Sequence, residues 1–378
     1  MNDKNKNEFH THENYRPHEL PIDQPKSSKF TRTNAWLKKR QWYVLSSVVV
    51  LALLVGGGIT YAYSTLHFQA AVATTAKKKK FAEKTYSKLT GMEVSKKDSQ
   101  RPVTGVIIEN SQKARPQSGI KEAGVVFESV VEAGITRFLL LYQEAKPAVI
   151  GPVRSVRPQF ASWVAAFDAG LAHVGGSDIP LGKLRSGQIK DLDQFFNAGT
   201  YNRVKNRAAP HNVYTSDDKL QALNKSKGYT SSNYIGFTHK IKVTPSVAPT
   251  AKTILVPVST GQFATSYVWD PTTNQYLRSV AGVAHKDREQ GQVSPKVVIA
   301  MQVPHDVIKD SNKFSYPDVN TSGKAWLFQD GIVTEISWSK TGDKQQIEFK
   351  DASGKVVELN PGQTWISALR PDKVPTWQ

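Results

Sequence analysis

The sequence predicts an α+β fold: a mixed sheet with packed helices, then a smaller β-rich domain, behind one N-terminal transmembrane helix. Three observations predict it. The stretch Tyr43–Tyr63 (YVLSSVVVLALLVGGGITYAY) carries no charged residue. Between residues 101 and 242, short apolar runs alternate with segments of helical spacing. Beyond a Pro/Ser/Thr-rich linker at 243–250, apolar runs become short and are separated by turn pairs such as Asp330-Gly331.

Taken in order, residues 1–42 are polar and rich in His, Asn and Pro, which predicts a disordered cytoplasmic tail. Residues 43–66 follow as the transmembrane helix, since about 20 apolar residues cross a ~30 Å hydrocarbon core. Trp36, Trp42, Tyr43, Tyr61 and Tyr63 stand where interfacial aromatics belong. Lys38, Lys39 and Arg40 sit close before the span, which places the N-terminus inside and the main domains outside. An uncleaved anchor is favoured over a signal peptide, because Ala71-Val72-Ala73 lies well beyond the apolar core. Residues 67–100 read as a linker.

In the 101–242 domain, Val103–Ile108, Val125–Val131, Thr136–Tyr142, Ala148–Val153 and Leu171–Val174 read as strands. Pro158–Phe167 reads as a helix, with Phe160, Trp163, Val164 and Phe167 on one face and Pro158 at its start. A short helix follows Asp178, and Ser216–Lys225 reads as a helix capped by Ser216. Asp191 and Asp193 read as loop acids, and His173 as a core histidine. The 251–378 domain offers strands at Phe263–Trp269, Tyr276–Val280, Lys296–Met301, Ala325–Gln329, Ile332–Trp338 and Gln346–Phe349.

The chain of 378 residues has no cysteine, which excludes disulfides, thiolate metal sites, cysteine nucleophiles and lipidation at a cysteine. Its formal charge is +18, with +8 in the first 80 residues and +10 in the remainder. A basic exported body is expected to attract the polyanions of a cell envelope, the alternative being that the charge serves solubility alone. No nucleic-acid-binding motif is present, so nucleic acid is not an expected partner.

Polar residues concentrate in the first domain at or just after predicted strand ends, where ligand sites collect in α/β sheets. Arg154 and Arg157 lie on a strand-to-helix turn, and Gly175, Gly176 and Ser177 precede a helix N-terminus. Free backbone N–H groups and a helix dipole there favour an anion. With Arg115, Arg137, Arg203, Arg207, His211 and Asn212 they form the candidate ligand-binding set, since guanidinium matches phosphate oxygens bidentately. Glu109, Glu132 and His211 are the candidate catalytic groups. The alternative for Arg154 and Arg157 is structural pairing with Glu109, Glu128 or Glu132. There is no GxSxG, HExxH, P-loop or GxGxxG motif, and the histidines lack metal-ligand spacing. No metal or cofactor is expected, with Mg²⁺ entering only if the protein is an enzyme.

The words RPVTGVIIENSQKARPQSGI, EAGITRFLLLYQ, IGPVRSVRP, HVGGSD, RAAPHNVYTS, AWLFQDGIVTEISWSK and LNPGQTWI, in this order over Arg101–Ile366, resemble the YerB-like family. That family comprises Gram-positive proteins described as lipoproteins and is defined by a domain of unknown function. The resemblance implies two adjoining domains on the outer face of the membrane and no established reaction. Here a transmembrane helix stands in place of the lipid. A weaker, fold-level likeness links ITRFLLLY, VIGPVRS and AHVGG to the LytR-CpsA-Psr family, which transfers lipid-pyrophosphate-linked polymers to the wall. Thr136-Arg137 stands where that family carries an acidic residue beside Arg-Ser.

The expected function is therefore a membrane-anchored envelope protein whose Arg-rich cleft binds an anionic, phosphate-bearing envelope polymer or lipid phosphate, or a cell-wall synthesis protein. The alternative is an enzyme that transfers or hydrolyses a lipid-linked pyrophosphate.

Overall fold

A computed structural model describes residues 35–77 and 84–378 and divides the chain into two compact units, Met1–Ala82 and Glu83–Gln378. The first contains α1, Ala35–Lys77. Within it Leu45–Phe68 is long and apolar enough to cross a membrane. Its hydroxyls are satisfied locally: Thr60 Oγ1 donates to the Gly56 carbonyl at 2.9 Å and Thr65 Oγ1 to that of Tyr61 at 3.0 Å. The helix outruns the predicted span at both ends. Residues 35–42, read as tail, and 67–77, read as linker, are helical because neither stretch contains Pro or Gly to stop it. The remainder of the predicted tail, 1–34, lies outside the described residues.

The second unit begins earlier than expected. The sequence reads residues 84–100 as linker, yet Thr85–Tyr86 pairs with Glu93–Val94 and Ser95 caps a short helix, Lys96–Ser99. Leu89, fully buried in the core, anchors this segment.

From there the strands β1 (Thr104–Glu109), β2 (Val125–Val130) and β3 (Thr136–Tyr142) precede α2 (Pro158–Ala165), β4 (Gly170–His173), α3 (Asp178–Arg185), β5 (Lys190–Asp193) and α4 (Asp217–Ser226). The C-terminal half adds β6 (Thr253–Val256), β7 (Thr265–Asp270), β8 (Gln275–Val280), β9 (Val297–Gln302), β10 (Ser322–Gln329), β11 (Ile332–Ser339), β12 (Glu348–Lys350) and β13 (Thr364–Leu369). Among the described residues, ten of these strands form one mixed sheet in the order β12-β11-β10-β9-β13-β2-β3-β1-β4-β5. The two sequence halves meet in it at the parallel pair β13–β2, where Trp365 lies beside Val126. The C-terminal half is β-rich, as expected, and contributes five strands to this shared sheet. Its β6, β7 and β8, with Val283–Ala284 and Thr376–Trp377, form a second, five-stranded sheet.

Both faces of the central strands are covered, so they read as unbroken apolar runs. Ile107, Phe127, Leu139 and Leu141 face the core that contains Phe160, Trp163 and Val164 of α2. Their alternates Val106, Val126, Phe138 and Leu140 share the other core with Ile254, Tyr267 and Tyr276 of the second sheet. Phe127 stacks on Trp163 with centroids 4.8 Å apart, and burying side chains of this size contributes about 1.5–3 kcal/mol each.

Two local readings are corrected. Ala148–Val153 makes only isolated bridges, Gly151 to Ser118 and Val153 to Ile108 among them, because Pro152 has no N–H for a ladder. Asp191 and Asp193 belong to the edge strand β5, paired with Leu171 and His173, rather than to a loop. His173 is a satisfied core residue, as expected: its ring nitrogens lie 2.8 Å from the Gly175 carbonyl and 3.1 Å from Asp191.

Candidate functional site

The register of β1 and β3 starts the site. Glu109 is the direct cross-strand partner of Arg137, so both side chains leave the same sheet face. Glu132 sits in the turn between β2 and β3. The arginine turn, residues 154–157, is fastened above them, since Arg154 N–H donates to the Ile107 carbonyl at 2.9 Å.

Guanidiniums and carboxylates interleave. Arg154 Nε lies 3.4 Å from Glu109 Oε2. Arg157 Nε pairs with Glu132 Oε1, and the second Glu132 oxygen lies 3.9 Å from Arg137. Arg137 donates to the Ser155 carbonyl at 2.7 Å. His211 Nδ1 is 2.9 Å from both Glu109 oxygens, and Ser111 Oγ donates to Glu109 at 2.7 Å. Tyr316 Oη donates to Asp310 at 2.8 Å and reaches Glu132 at 3.3 Å.

Electrostatics follow from this packing. Burial, aided by the neighbouring Arg157 charge, lowers the Arg137 pKa to about 9. Burial pushes the Glu132 carboxyl up, but the hydrogen bond and charge of Arg157 outweigh it and hold the group below its ordinary value. Three guanidiniums face the carboxylates of Glu109 and Glu132, with that of Asp310 beyond Tyr316. Accessibility is graded: the Arg154 side chain is 24% exposed, that of Arg157 14% and that of Arg137 6%. Arg154 is the most accessible of the three and Arg137 lies beneath them.

The Gly175–Ser177 turn lies against the arginine turn. Val156 N–H donates to the Gly175 carbonyl at 3.1 Å, Ser177 N–H to that of Val156 at 3.3 Å, and Val174 N–H to that of Arg154 at 3.0 Å. Each glycine has its own reason. Gly175 takes φ +60°, which favours glycine, and a Cβ on Gly176 would lie 2.5 Å from Val156 Cγ1. Two N–H groups of the expected cradle are already taken, however. Asp193 accepts from Gly175 N–H at 3.1 Å and Val156 occupies Ser177 N–H.

The structure thus brings together Glu109, Glu132, Arg137, Arg154, Arg157 and His211, with Gly175, Gly176 and Ser177 alongside. It leaves four predicted residues in supporting positions. Arg207 ties down the preceding loop through the Ala114 carbonyl and that of Pro116 at 2.6 Å. Arg115 binds the Asn110 carbonyl at 2.8 Å and that of Gln262 at 2.8 Å. Arg203 donates to Asn212 Oδ1 at 2.9 Å, which engages both. Backbone carbonyls, invisible as partners in a sequence, claim the first two. Sequence reasoning missed Tyr316 and Asp310, which reach Glu132 from the C-terminal half, and no local signal marks them. It also passed over the adjacent, exposed Phe195 and Phe196, for which the aromatic pair in a polar stretch was the available signal.

Residues 89–230 match the family described as protein of unknown function (DUF3048), N-terminal domain, and residues 254–366 match its C-terminal domain. The chain is 32% identical over 308 residues to a Bacillus subtilis (strain 168) protein named "Putative lipoprotein YerB", covering 79% of this chain and 88% of that protein. The crystal structure of YerB protein from Bacillus subtilis is similar as well, with a TM-score of 0.70 at 30% identity over 78% of this chain and all of that one. None of these matches carries the LytR-CpsA-Psr likeness. Two consecutive domain matches and a relative aligned over most of both chains make this protein a member of the YerB-like, DUF3048 family.

Proposed function

We propose that this is a membrane-anchored envelope protein, with its N-terminus inside and the Glu83–Gln378 body outside, that binds a phosphate-bearing envelope ligand through Arg154 and Arg157. The observation that carries the reading is the convergence of three arginines on two carboxylates at one end of the sheet. A phosphate would meet the outer edges of Arg154 and Arg157 while Glu109 and Glu132 stay paired behind them and hold the guanidiniums in place, so little ordering cost remains. The Leu45–Phe68 segment supplies the anchor. The test is thermal stabilisation of the protein by pyrophosphate and by polyprenyl phosphate, with and without Mg²⁺, in wild type and Arg154→Ala. Stabilisation that Arg154→Ala abolishes supports the proposal. No shift with any probe defeats it and leaves a protein partner.

A second reading, hydrolysis or transfer at a lipid-linked pyrophosphate, is favoured by one contact. Glu109 orients His211 through Nδ1 at 2.9 Å, the geometry that readies Nε2 as a general base. Water would attack phosphorus, His211 would take its proton, and the P–O bond to the leaving phosphate would break. Release of phosphate from a polyprenyl pyrophosphate by wild type and its loss in His211→Ala test this reading.

A further inference from the structure

One arginine of the expected ligand-binding set has no carboxylate of its own. Arg115 Nε donates to Asn110 Oδ1 at 3.1 Å, and Nη2 donates to the carbonyls of Asn110 and Gln262, each at 2.8 Å, which uses three of the five guanidinium N–H bonds. The other two are on Nη1. They have no partner among the described residues, and Nη1 itself is not sealed from solvent. The acid whose charge reaches Arg115 is Glu128, which Arg278 already holds at 3.0 Å. Burial, and after it the Arg278 charge, lowers the Arg115 pKa to about 10. The guanidinium is therefore partly desolvated, repelled by a like charge, and without the anion that ordinarily offsets such a cost.

Arg115 lines a cavity of about 420 Å³ between the loop after β1 and the hairpin that follows β8. None of its lining residues belongs to the cluster around Arg154 and Arg157. Pro116, Val280, Val283 and Ala284 give it aliphatic walls, and Val283 is 70% exposed. Its cations are Arg115 and Lys286, and no Asp or Glu lines it. His285 in its floor is neutral, because burial and Arg278 push the imidazole well below its ordinary pKa. Charge and lining together fix the class of occupant. Two cations without an acid between them complement an anion. One free guanidinium nitrogen offers two N–H bonds, which suit a single carboxylate. A phosphate dianion carries twice the charge, and the cost of moving an ion out of water rises with the square of its charge. The aliphatic walls call for an aliphatic body.

We infer that this cavity is a second ligand site, which takes a monocarboxylate with a short aliphatic body, its carboxylate on Arg115 Nη1 and its body against Pro116 and Val283. The site is independent of the phosphate reading above and stands or falls without it.

The test is saturation-transfer NMR of the full chain in nanodiscs with 4-methylpentanoate, its neutral amide and isopentyl phosphate. The carboxylate is expected to bind about tenfold more tightly than the amide, the worth of one hydrogen bond between charged groups. Arg115→Gln should erase that difference. Because Arg115 also ties Asn110 to Gln262, a second variant leaves it in place. Val283→Asp puts an acid into the cavity at an exposed position, where folding is not at stake, and it should lower the carboxylate affinity at least tenfold by occupying or repelling what Arg115 offers. Equal binding of acid and amide overturns the inference, as does tighter binding of isopentyl phosphate than of the carboxylate. Carboxylate binding that survives both variants places the ligand elsewhere and also overturns it, and so does the absence of binding by all three probes.

Discussion

Replacing Arg278 with Met tests the join between the two halves of the Glu83–Gln378 unit. Arg278 on β8 and Glu128 on β2 are both fully buried, and one terminal guanidinium nitrogen donates to both Glu128 oxygens at 3.0 Å. The same nitrogen reaches Thr265 Oγ1 at 3.2 Å, Nε reaches Tyr267 Oη at 3.3 Å, and the guanidinium carbon lies 4.4 Å from the Trp365 centroid. The other terminal nitrogen donates to His285 Nδ1. Burial and this guanidinium push the imidazole well below its ordinary pKa, so the ring is neutral and Nε2 donates to Gln117 at 2.9 Å. Met preserves the volume of the arginine stem and removes the charge. Glu128 then keeps only Trp365 Nε1 at 3.0 Å and Ser367 Oγ at 3.4 Å. With an effective dielectric near 20, the lost attraction is about 4 kcal/mol, in line with the ~3–5 kcal/mol cost of breaking a buried pair. Urea unfolding followed by circular dichroism and tryptophan fluorescence should therefore show a loss of about 3–5 kcal/mol in one shared transition. Adding Glu128→Gln removes the stranded charge and should restore about 1–3 kcal/mol. A loss under ~1 kcal/mol for Arg278→Met, or a double variant no more stable than the single one, would refute the reasoning.

Gly176→Val drives a side chain into Val156 at the 2.5 Å approach, and it should cost about 1–3 kcal/mol in urea while weakening pyrophosphate binding at the displaced arginine turn. At low pH, two carboxylates govern part of the stability. Burial raises the Asp343 carboxyl, but hydrogen bonds from Lys183 and Asn320 prevail and hold it at about 2. Because its folded pKa is depressed, its contribution is complete above the unfolded value near 3.8 and is lost as pH falls through 2. Asp343→Asn should flatten about 1–2 kcal/mol of the acid decline between pH 5 and pH 2, after allowance for solvent screening. Glu132, also held below its ordinary value, should act in the same direction, so Glu132→Gln lowers stability at pH 7 and narrows its difference from wild type in acid. A periplasm-type or surface reporter fused after Gln378 should be active and a cytosolic reporter silent; the reverse would remove the envelope reading.

The legible part of this protein was what depends on local pattern. A charge-free run marks the apolar part of α1, since about 20 consecutive apolar residues read as one long helix. Thr136–Tyr142 was readable to the residue as β3, since a strand buried on both faces must be apolar throughout. The α4 helix announced itself through Ser216, which accepts from Lys219 N–H. The candidate site was half legible: Arg154, Arg157, Glu109, Glu132 and His211 were named from their places at strand ends. Which of them meet was not, because pairing is set by register and by the turn between β2 and β3.

The tertiary structure alone decided three things. It joined the halves through β13 and β2, a parallel pair more than 230 residues apart in sequence, because both flanks of that sheet need apolar cover that neither half provides by itself. It gave Arg115 and Arg207 to backbone carbonyls and Gly175 N–H to Asp193, since a donor's partner is fixed by distance in the fold and leaves no mark in composition. And it set Phe195 beside the Gly175 turn, because the sheet edge carries β5 next to β4. Spacing along a chain specifies elements and faces; contact between distant residues comes into being only when burial closes the chain on itself.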